Sequence, residues 1–230
     1  MSSKDAAQKA AKISKTYDVI CKAYRVTITD EHAVAEAIDQ AVEELNGRVD
    51  IFVANAGISW LGGCMINGSM ESFHDIMNIN FMSAVYAAKA VGKHFQRQKN
   101  EGTDIHGNTL TNFHSGSFIV NSSIAGARQL GPHAGTPYSV SKAALTHFAK
   151  CLAVEWVKFA RVNSVSPAYI STGMLDNVPD PVRNPWKGRT PLGREGTVDE
   201  TKGAFLYFAS DASSYTTGAN LFVDGGYTCV

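Results

Sequence analysis

The chain has 230 residues, of which 44% are hydrophobic and 18% charged, and its 21 Lys and Arg residues balance 21 Asp and Glu residues. A chain of this length buries enough apolar surface to fold without metals or disulfides. The absence of a basic excess argues against nucleic acid and membrane surfaces as partners. The four cysteines include no C-x-x-C pair, which predicts free thiols in a reducing compartment, the cytoplasm.

The N-terminal stretch MSSKDAAQKAAK is polar and lacks the apolar core of a signal peptide. No run approaches the ~20 apolar residues that span a bilayer. We therefore expect neither export nor membrane residence.

Hydrophobic spacing predicts an alternation of helices and strands in the first part of the chain. A helix ends near Tyr17, and the segment 19–28 that follows is rich in strand formers. Asp30 is suited to cap a helix over 31–46. Residues 49–57 (VDIFVANAG) are a short apolar run that stops at a glycine, typical of a strand buried on both faces.

The same alternation continues to the C-terminus. The predicted elements are a helix 69–98, a polar loop 99–116, a strand 116–123, a helix 137–158, a strand 161–165, a Pro/Gly-rich excursion 173–196, a helix 198–210 and a strand 220–224. Strands that alternate with helices predict an α/β fold, a doubly wound parallel sheet. No composition shift marks a second domain, so we expect one domain over residues 1–230.

Tyr138 and Lys142 are the most informative pair for chemistry. At positions i and i+4 of a helix they share one face, where an ammonium favours ionisation of a phenol and makes it a usable acid at neutral pH. Such a pair alone is usually a surface contact. Ser122 and Ser123 lie just upstream, at the carboxyl end of a predicted strand, which is where ligands bind in doubly wound sheets.

With these residues the sequence resembles the short-chain dehydrogenase/reductase family. The motifs that carry the resemblance are VDIFVANAG, IMNINFMSAVY, IVNSSIAG, YSVSK, RVNSVSPAYIST and TTGANLFVDGGY. They run in the family's order from about residue 6 to the C-terminus. The details TPLGREG (190–196), GYTC (226–229) and a Ser-to-Tyr spacing of 15 residues are most like fungal carbonyl and polyol reductases of the mannitol dehydrogenase and sorbose reductase type.

The resemblance implies roles for four catalytic residues. Tyr138 would donate the proton to a carbonyl oxygen, and Ser123 would hydrogen-bond that oxygen. Lys142 would bind ribose hydroxyls and lower the tyrosine pKa, and Asn80 would hold a water that links Lys142 to solvent. For the adjacent Ser122 we expect a buried hydroxyl bonded to backbone.

The resemblance also implies cofactor contacts at two strand ends. The cofactor-binding residues expected are Asn55, Ala56, Gly57, Tyr138, Lys142, Pro167, Ile170 and Thr172. Ile170 would act through its backbone. Ala168 stands where the family has glycine, and a positive φ there would carry strain of about 1 kcal/mol.

The family's phosphate-binding turn, T-G-x-x-x-G-x-G, has no counterpart in these 230 residues, and Thr27 replaces the family's acidic residue after strand three. We therefore expect an N-terminally incomplete domain that lacks the first two strands. The fungal resemblance implies NADP, and the residues leave NAD open because strand two, which sorts the two cofactors, is missing.

Two functions remain open at this point. One is an oxidoreductase that transfers hydride between NADP(H) and a carbonyl or secondary alcohol, with a ketose, polyol or small ketone as substrate. The other is a cofactor-deficient remnant that serves as an oligomerising or binding subunit. No G-x-S-x-G elbow indicates a serine hydrolase, and the spacing of the seven histidines indicates no metal site.

Two expectations concern assembly. The family forms tetramers, and the helices 69–98 and 137–158 carry apolar faces wide enough for subunit contacts, so we expect a homo-oligomer, either a dimer or a tetramer. Without the first two strands, the strand at 50–54 would have an unpaired edge. The simplest remedy is direct pairing of 20–26 with 50–54, which predicts a five-stranded sheet.

Overall fold

The computed structural model describes residues 3–60, 62–128, 135–173 and 180–230. The helices are α1 (Ser3–Tyr17), α2 (Glu31–Leu45), α3 (Met70–Met77), α4 (Ser83–Glu101), α5 (Thr136–Glu155), α6 (Asp180–Arg189) and α7 (Val198–Ala209). The strands are β1 (Ile51–Ala54), β2 (Gly116–Asn121), β3 (Ala160–Pro167) and β4 (Asn220–Val223).

The four strands form one parallel sheet in the order β1-β2-β3-β4. Ala54 lies beside Val120, Asn121 beside Val165, and Pro167 beside Val223. The carboxyl ends of all four strands therefore meet at one edge of the sheet. This confirms the predicted α/β fold with a parallel sheet.

Helices cover both faces of the sheet. On one face α4 and α5 pack a core around Phe95, Phe118 and Trp156, and the rings of Phe118 and Trp156 meet edge to face at 5.7 Å. On the other face Phe208 of α7 packs against Ile119 of β2. Because β2 is covered on both sides, its residues are almost entirely buried.

The predicted strand at 19–28 is wrong. These residues have no regular secondary structure and form no ladder with β1 or with any other described segment. Cys21 donates its N–H to the Ser14 hydroxyl, and the side chains of Lys22 and Tyr24 bind Glu44 near the end of α2. β-forming side chains do not make a strand when the backbone has no neighbouring strand to bond. The predicted pairing with 50–54 is therefore also wrong, and the sheet has four strands instead of five.

Strand β1 is less buried than its apolar sequence predicts. Ile51 and Val53 are 45% and 40% exposed, whereas Phe52 and Ala54, on the opposite face, pack against the core. Within the described residues, β1 pairs only with β2 and has a free edge. The prediction that this strand is buried on both faces is wrong, because only one face of it carries a helix layer.

The helices follow their predicted bounds with four differences. Asp30 caps α2 as predicted, its Oδ1 accepting from the N–H groups of His32 and Ala33. The helix predicted over 69–98 contains a π-helical turn, Asn78–Met82, and extends to Glu101. The helix predicted over 137–158 ends at Glu155, and the excursion 173–196 contains the unpredicted α6.

Candidate active site

Two adjacent serines follow β2 and have different environments. Ser122 is buried and donates its hydroxyl to the carbonyl of Lys142 at 2.8 Å, so its predicted structural role is confirmed. The Ser123 Oγ accepts the N–H of Ala125 at 3.1 Å, which fixes the turn that follows the strand. Gly126 ends that turn so close to α5 that a Cβ would meet the backbone of Lys142 at 2.7 Å.

Tyr138 and Lys142 lie one turn apart on α5 beside this serine. The Ser123 hydroxyl lies near the Tyr138 phenol and lowers its pKa. The Lys142 Nζ lies 5.7 Å from the centre of the Tyr138 ring and donates to the carbonyl of Asn121 at 2.8 Å. The structure therefore brings the predicted Ser, Tyr and Lys together at the carboxyl edge of the sheet.

Burial dominates the ionisation of both groups. It raises the pKa of Tyr138 above its ordinary value, and the hydrogen bond from Ser123 lowers it only in part. Burial also lowers the pKa of Lys142 to about 8. The pKa of Tyr138 is therefore raised overall, whereas the expectation was a lowered pKa, because the desolvation of the buried phenol dominates.

Asn80 lies in the π-helical turn between α3 and α4 and is 1% exposed. Its Oδ1 accepts from the N–H of Ile58 at 2.7 Å, and its Nδ2 donates to the carbonyl of Ile58 and to the Ser141 hydroxyl. A π-turn widens the helix locally and is common at functional sites. Asn80 thus ties the segment after β1 to helix α5, beside Lys142.

The segment after β1, residues 55–57, lies beside Lys142. A Cβ built on Gly57 would lie 3.6 Å from the Lys142 Nζ, so the backbone approaches the ammonium closely. Asn55 accepts a hydrogen bond from the Asn121 Nδ2 at 2.6 Å, while the Asn121 Oδ1 is buried without a hydrogen-bond partner in the protein. A buried acceptor without a partner fits a ligand hydroxyl at this point.

The segment after β3 presents backbone groups to the site. Ile170 forms a parallel bridge with Gly196 in which Gly196 bonds the carbonyl of Tyr169 and the N–H of Ser171. In such a bridge the N–H and C=O of the central residue point to the other side. The Ile170 backbone groups thus face away from Gly196 and fit a planar carboxamide, which needs one donor and one acceptor.

Three further predicted positions lie nearby. Pro167 ends β3, Ala56 is exposed after β1, and Thr172 is exposed two residues beyond Ile170. Asp18 is the only non-glycine residue with positive φ in the described part of the chain, so Ala168 carries no strain of the kind considered above.

The sequence analysis missed a group of aromatic side chains at the same edge. Tyr169 stacks on Trp186 of α6, with ring centres 4.2 Å apart and planes within 7°, and meets Tyr227 edge to face at 5.6 Å. Burial and the neighbouring Tyr227 raise the pKa of Tyr169. The only sequence signal was that both tyrosines closely follow predicted strands, because Trp186 comes from a helix that was not predicted.

Other classes of site receive no support from the described residues. They contain no cluster of three or more His, Cys, Asp or Glu side chains that could hold a metal ion. None of their helices has the length and apolarity needed to cross a bilayer.

Comparison with known proteins places this geometry in a family. The family model described as enoyl-(acyl carrier protein) reductase matches residues 1–228. The chain is 51% identical to L-xylulose reductase of Hypocrea jecorina over 99% of its own length and 79% of that protein's. It is 42% identical to a sorbose reductase of Candida albicans, covering 99% of this chain and 76% of the relative.

Solved structures with a similar fold are also oxidoreductases. The chain matches the NADPH-dependent 3-quinuclidinone reductase of Rhodotorula rubra with a TM-score of 0.88 and 36% identity, covering 100% of this chain and 80% of that one. It matches a gluconate 5-dehydrogenase of Burkholderia cenocepacia, solved with NADP and tartrate, with a TM-score of 0.86 and 25% identity, covering 100% and 83% of the two chains. The chain therefore belongs to the short-chain dehydrogenase/reductase family and is an oxidoreductase.

Proposed function

We propose that this protein is an NADP-dependent reductase of ketoses that also oxidises the corresponding polyols. The observation that carries the proposal is the position of Ser123 and Tyr138 beside the buried Lys142, at the carboxyl edge of the sheet. Two neighbouring hydroxyls at this edge can both reach one carbonyl oxygen. Such an arrangement is suited to polarising a carbonyl and then protonating it.

Tyr138 is the proton donor in this proposal. Its raised pKa keeps the phenol protonated at neutral pH, and the phenol donates its proton when negative charge develops on the substrate oxygen. NADPH, when bound, supplies the hydride that forms the new C–H bond at the carbonyl carbon. The carbonyl π bond breaks, its electron pair takes the proton from the Tyr138 Oη, and Ser123 holds the same oxygen by a hydrogen bond.

Lys142 and Asn80 support this proton transfer. The Lys142 Nζ already donates to the Asn121 carbonyl, and its remaining donors are available to ribose hydroxyls. Its positive charge would also stabilise the tyrosinate left after proton donation. We propose that the Asn80 side chain acts by fixing the 57–58 backbone beside Lys142.

The residues present fit the nicotinamide end of the cofactor. We propose that the backbone of Ile170 binds the carboxamide and that the unpartnered Asn121 Oδ1 accepts a ribose hydroxyl. Asn55, Ala56 and Gly57 would bring the backbone close to the nucleotide, and Pro167 and Thr172 would border the nicotinamide. NADP is favoured over NAD because relatives such as the mannitol dehydrogenase of Hypocrea jecorina, 39% identical over 99% of this chain and 79% of that protein, are named as NADP-dependent.

The names of the relatives also support the substrate class. They are reductases of xylulose and sorbose and dehydrogenases of mannitol, and these compounds are five- and six-carbon ketoses and a polyol. The test is NADPH oxidation measured with L-xylulose and sorbose, for wild type and Tyr138→Phe. We expect the variant to lose roughly 10²- to 10⁴-fold in kcat, the usual contribution of a general acid. Tyr215→Phe is the matched control, because Tyr215 is fully exposed before the amino end of β4, at the opposite edge of the sheet.

A titration of NADPH fluorescence separates this proposal from a binding or assembly subunit. A reductase should bind NADPH with a Kd in the micromolar range, and Lys142→Ala should weaken that binding. If NADPH does not bind at millimolar concentration, the chain acts as an oligomerising or binding subunit instead.

We further propose that the protein is a homo-oligomer in a reducing compartment, the cytoplasm. A groove of about 370 Å³ between α4 and α5 is lined by apolar groups that include Val85, Phe148 and Leu152, and it fits a second copy of this chain. The free state of all four cysteines supports the compartment. Light scattering should give a multiple of the 24.7 kDa chain mass, and a monomer at micromolar concentration would contradict the assembly.

A further inference from the structure

We propose that Tyr169 and Tyr227 form a second hydroxyl pair that binds the hydroxyl next to the reacting carbonyl, which makes this site selective for α-hydroxy ketones. The inference rests on the proposed function, because it names the substrate group recognised at the same site. An α-hydroxy ketone is the functional group that a ketose presents at its carbonyl end.

The topology places the two hydroxyl pairs side by side. Ser123 lies two residues beyond β2, Tyr169 two residues beyond β3, and Tyr227 four residues beyond β4. These strands are neighbours and parallel, so their carboxyl ends are adjacent. A ligand held by Ser123 and Tyr138 therefore has the two further tyrosines on its β3–β4 side.

Electrostatics agree with this placement. The pKa of Tyr169 is raised, first by burial and then by Tyr227, and a smaller contribution comes from Tyr138. This contribution agrees with the position of Tyr138 and Tyr169 at the same edge of the sheet.

Contacts on three sides fix the second pair in place. The Tyr169 ring stacks on Trp186, and this contact fixes the plane of the phenol. Tyr227 lies in a turn held by Asp224, whose carboxylate accepts from the N–H groups of Gly226 and Thr228 and from the Thr228 hydroxyl. Arg128, shortly after Ser123, donates to the carbonyl of Tyr227 at 3.3 Å. A hydroxyl held in this way loses little entropy on binding a ligand.

The chemistry of the pair matches one class of ligand. Tyr227 is 4% exposed, so its hydroxyl has little access to water and a ligand hydroxyl could supply a hydrogen bond. Each phenol both donates and accepts, and a substrate hydroxyl can bridge them. A simple ketone offers a C–H at that position and leaves these polar groups without a ligand partner, which disfavours its binding.

The test compares two ketones that differ by one hydroxyl, 1-hydroxybutan-2-one and butan-2-one, with NADPH. We expect wild type to prefer the hydroxyketone in kcat/KM, and Tyr169→Phe to lower that preference about tenfold, the value of one hydrogen bond. Tyr227→Phe should have the same direction of effect. Tyr215→Phe is the control and should leave the preference unchanged. An unchanged preference in both Tyr169→Phe and Tyr227→Phe, with both ketones still reduced, would overturn the inference and leave the proposed function intact.

If neither ketone is reduced, the proposed function is contradicted. A binding measurement then tests the hydroxyl pair without turnover. Sorbose should change the tryptophan fluorescence of wild type, because Trp186 stacks on Tyr169. The change should be absent in Trp186→Phe and should need a higher sorbose concentration in Tyr169→Phe. If the fluorescence of wild type does not respond to sorbose, the hydroxyl pair is not a sugar-binding element and the inference fails.

Discussion

Replacing Lys142 by methionine should remove activity and at the same time reduce the pH dependence of stability. The ammonium is 4% exposed, and burial lowers its pKa from 10.5 to about 8. At about 1.4 kcal/mol per pKa unit, the charged form costs the folded state roughly 3 kcal/mol at neutral pH. Methionine has nearly the same length and no charge, so it avoids this cost.

The sign of the pH effect follows from the proton count. Between pH 8 and 10.5 the unfolded chain keeps the lysine proton and the folded chain has lost it, so the stability of wild type rises with pH in that window. The Lys142→Met variant lacks this contribution. The difference in unfolding free energy, wild type minus variant, should therefore increase by roughly 2 to 3 kcal/mol from pH 7 to pH 10.

Urea unfolding at the two pH values measures this difference directly. Comparing the two pH values cancels the loss of the hydrogen bond to Asn121, because the neutral amine still donates to that carbonyl. Lys150→Met is the matched control on the same helix, since Lys150 is exposed, and its difference from wild type should stay constant with pH. A constant difference for Lys142→Met as well would refute the reasoning, because it would mean that folding does not desolvate this amine.

Three further predictions use single contacts. Gly116→Ala should destabilise the protein by about 1 to 3 kcal/mol, because the new Cβ would meet the Phe95 ring at 2.3 Å. Gly203→Ala, which has open space around it in α7, should stabilise the protein by about 0.5 to 1 kcal/mol. Urea unfolding midpoints measure both effects. Thr197→Ala removes a capping box with its N3 glutamate and should lower stability by about 1 kcal/mol, seen as a lower Tm. Ser123→Ala should lower kcat by at least about tenfold, whereas Ser122→Ala should leave kcat nearly unchanged. Both variants should be destabilised by about 1 to 3 kcal/mol, because each loses one side of a buried hydrogen bond. Equal kcat values for the two serine variants would contradict their assigned roles.

The sequence predicted those parts of the fold that depend on local signals. The N-cap at Asp30 and the buried run of β2 are read directly from residue type and spacing. The segment 19–28 has the same strand-forming residues but no neighbouring backbone to bond, and no local pattern reveals that. The exposure of Ile51 and Val53 has the same origin, because it depends on which layers cover β1.

The site divides in the same way. Motif order was enough to select Ser123, Tyr138 and Lys142, and the structure brings them together. The direction of the Tyr138 pKa could not be predicted from the i, i+4 spacing, because it depends on how much solvent both groups lose. The contact between Tyr169 and Tyr227 joins the ends of two strands, and only the sheet order places those ends next to each other.

The most direct test of hydride transfer at this site uses NADPH that carries deuterium at both C4 positions of the dihydronicotinamide, with L-xylulose as substrate. Mass spectrometry of the product then reports where the label has gone. We expect one deuterium on the new carbinol carbon for every NADPH consumed by wild type, with the hydroxyl proton coming from solvent by way of Tyr138. Unlabelled product, or labelled product formed at the same rate by Tyr138→Phe, would contradict carbonyl reduction at this site.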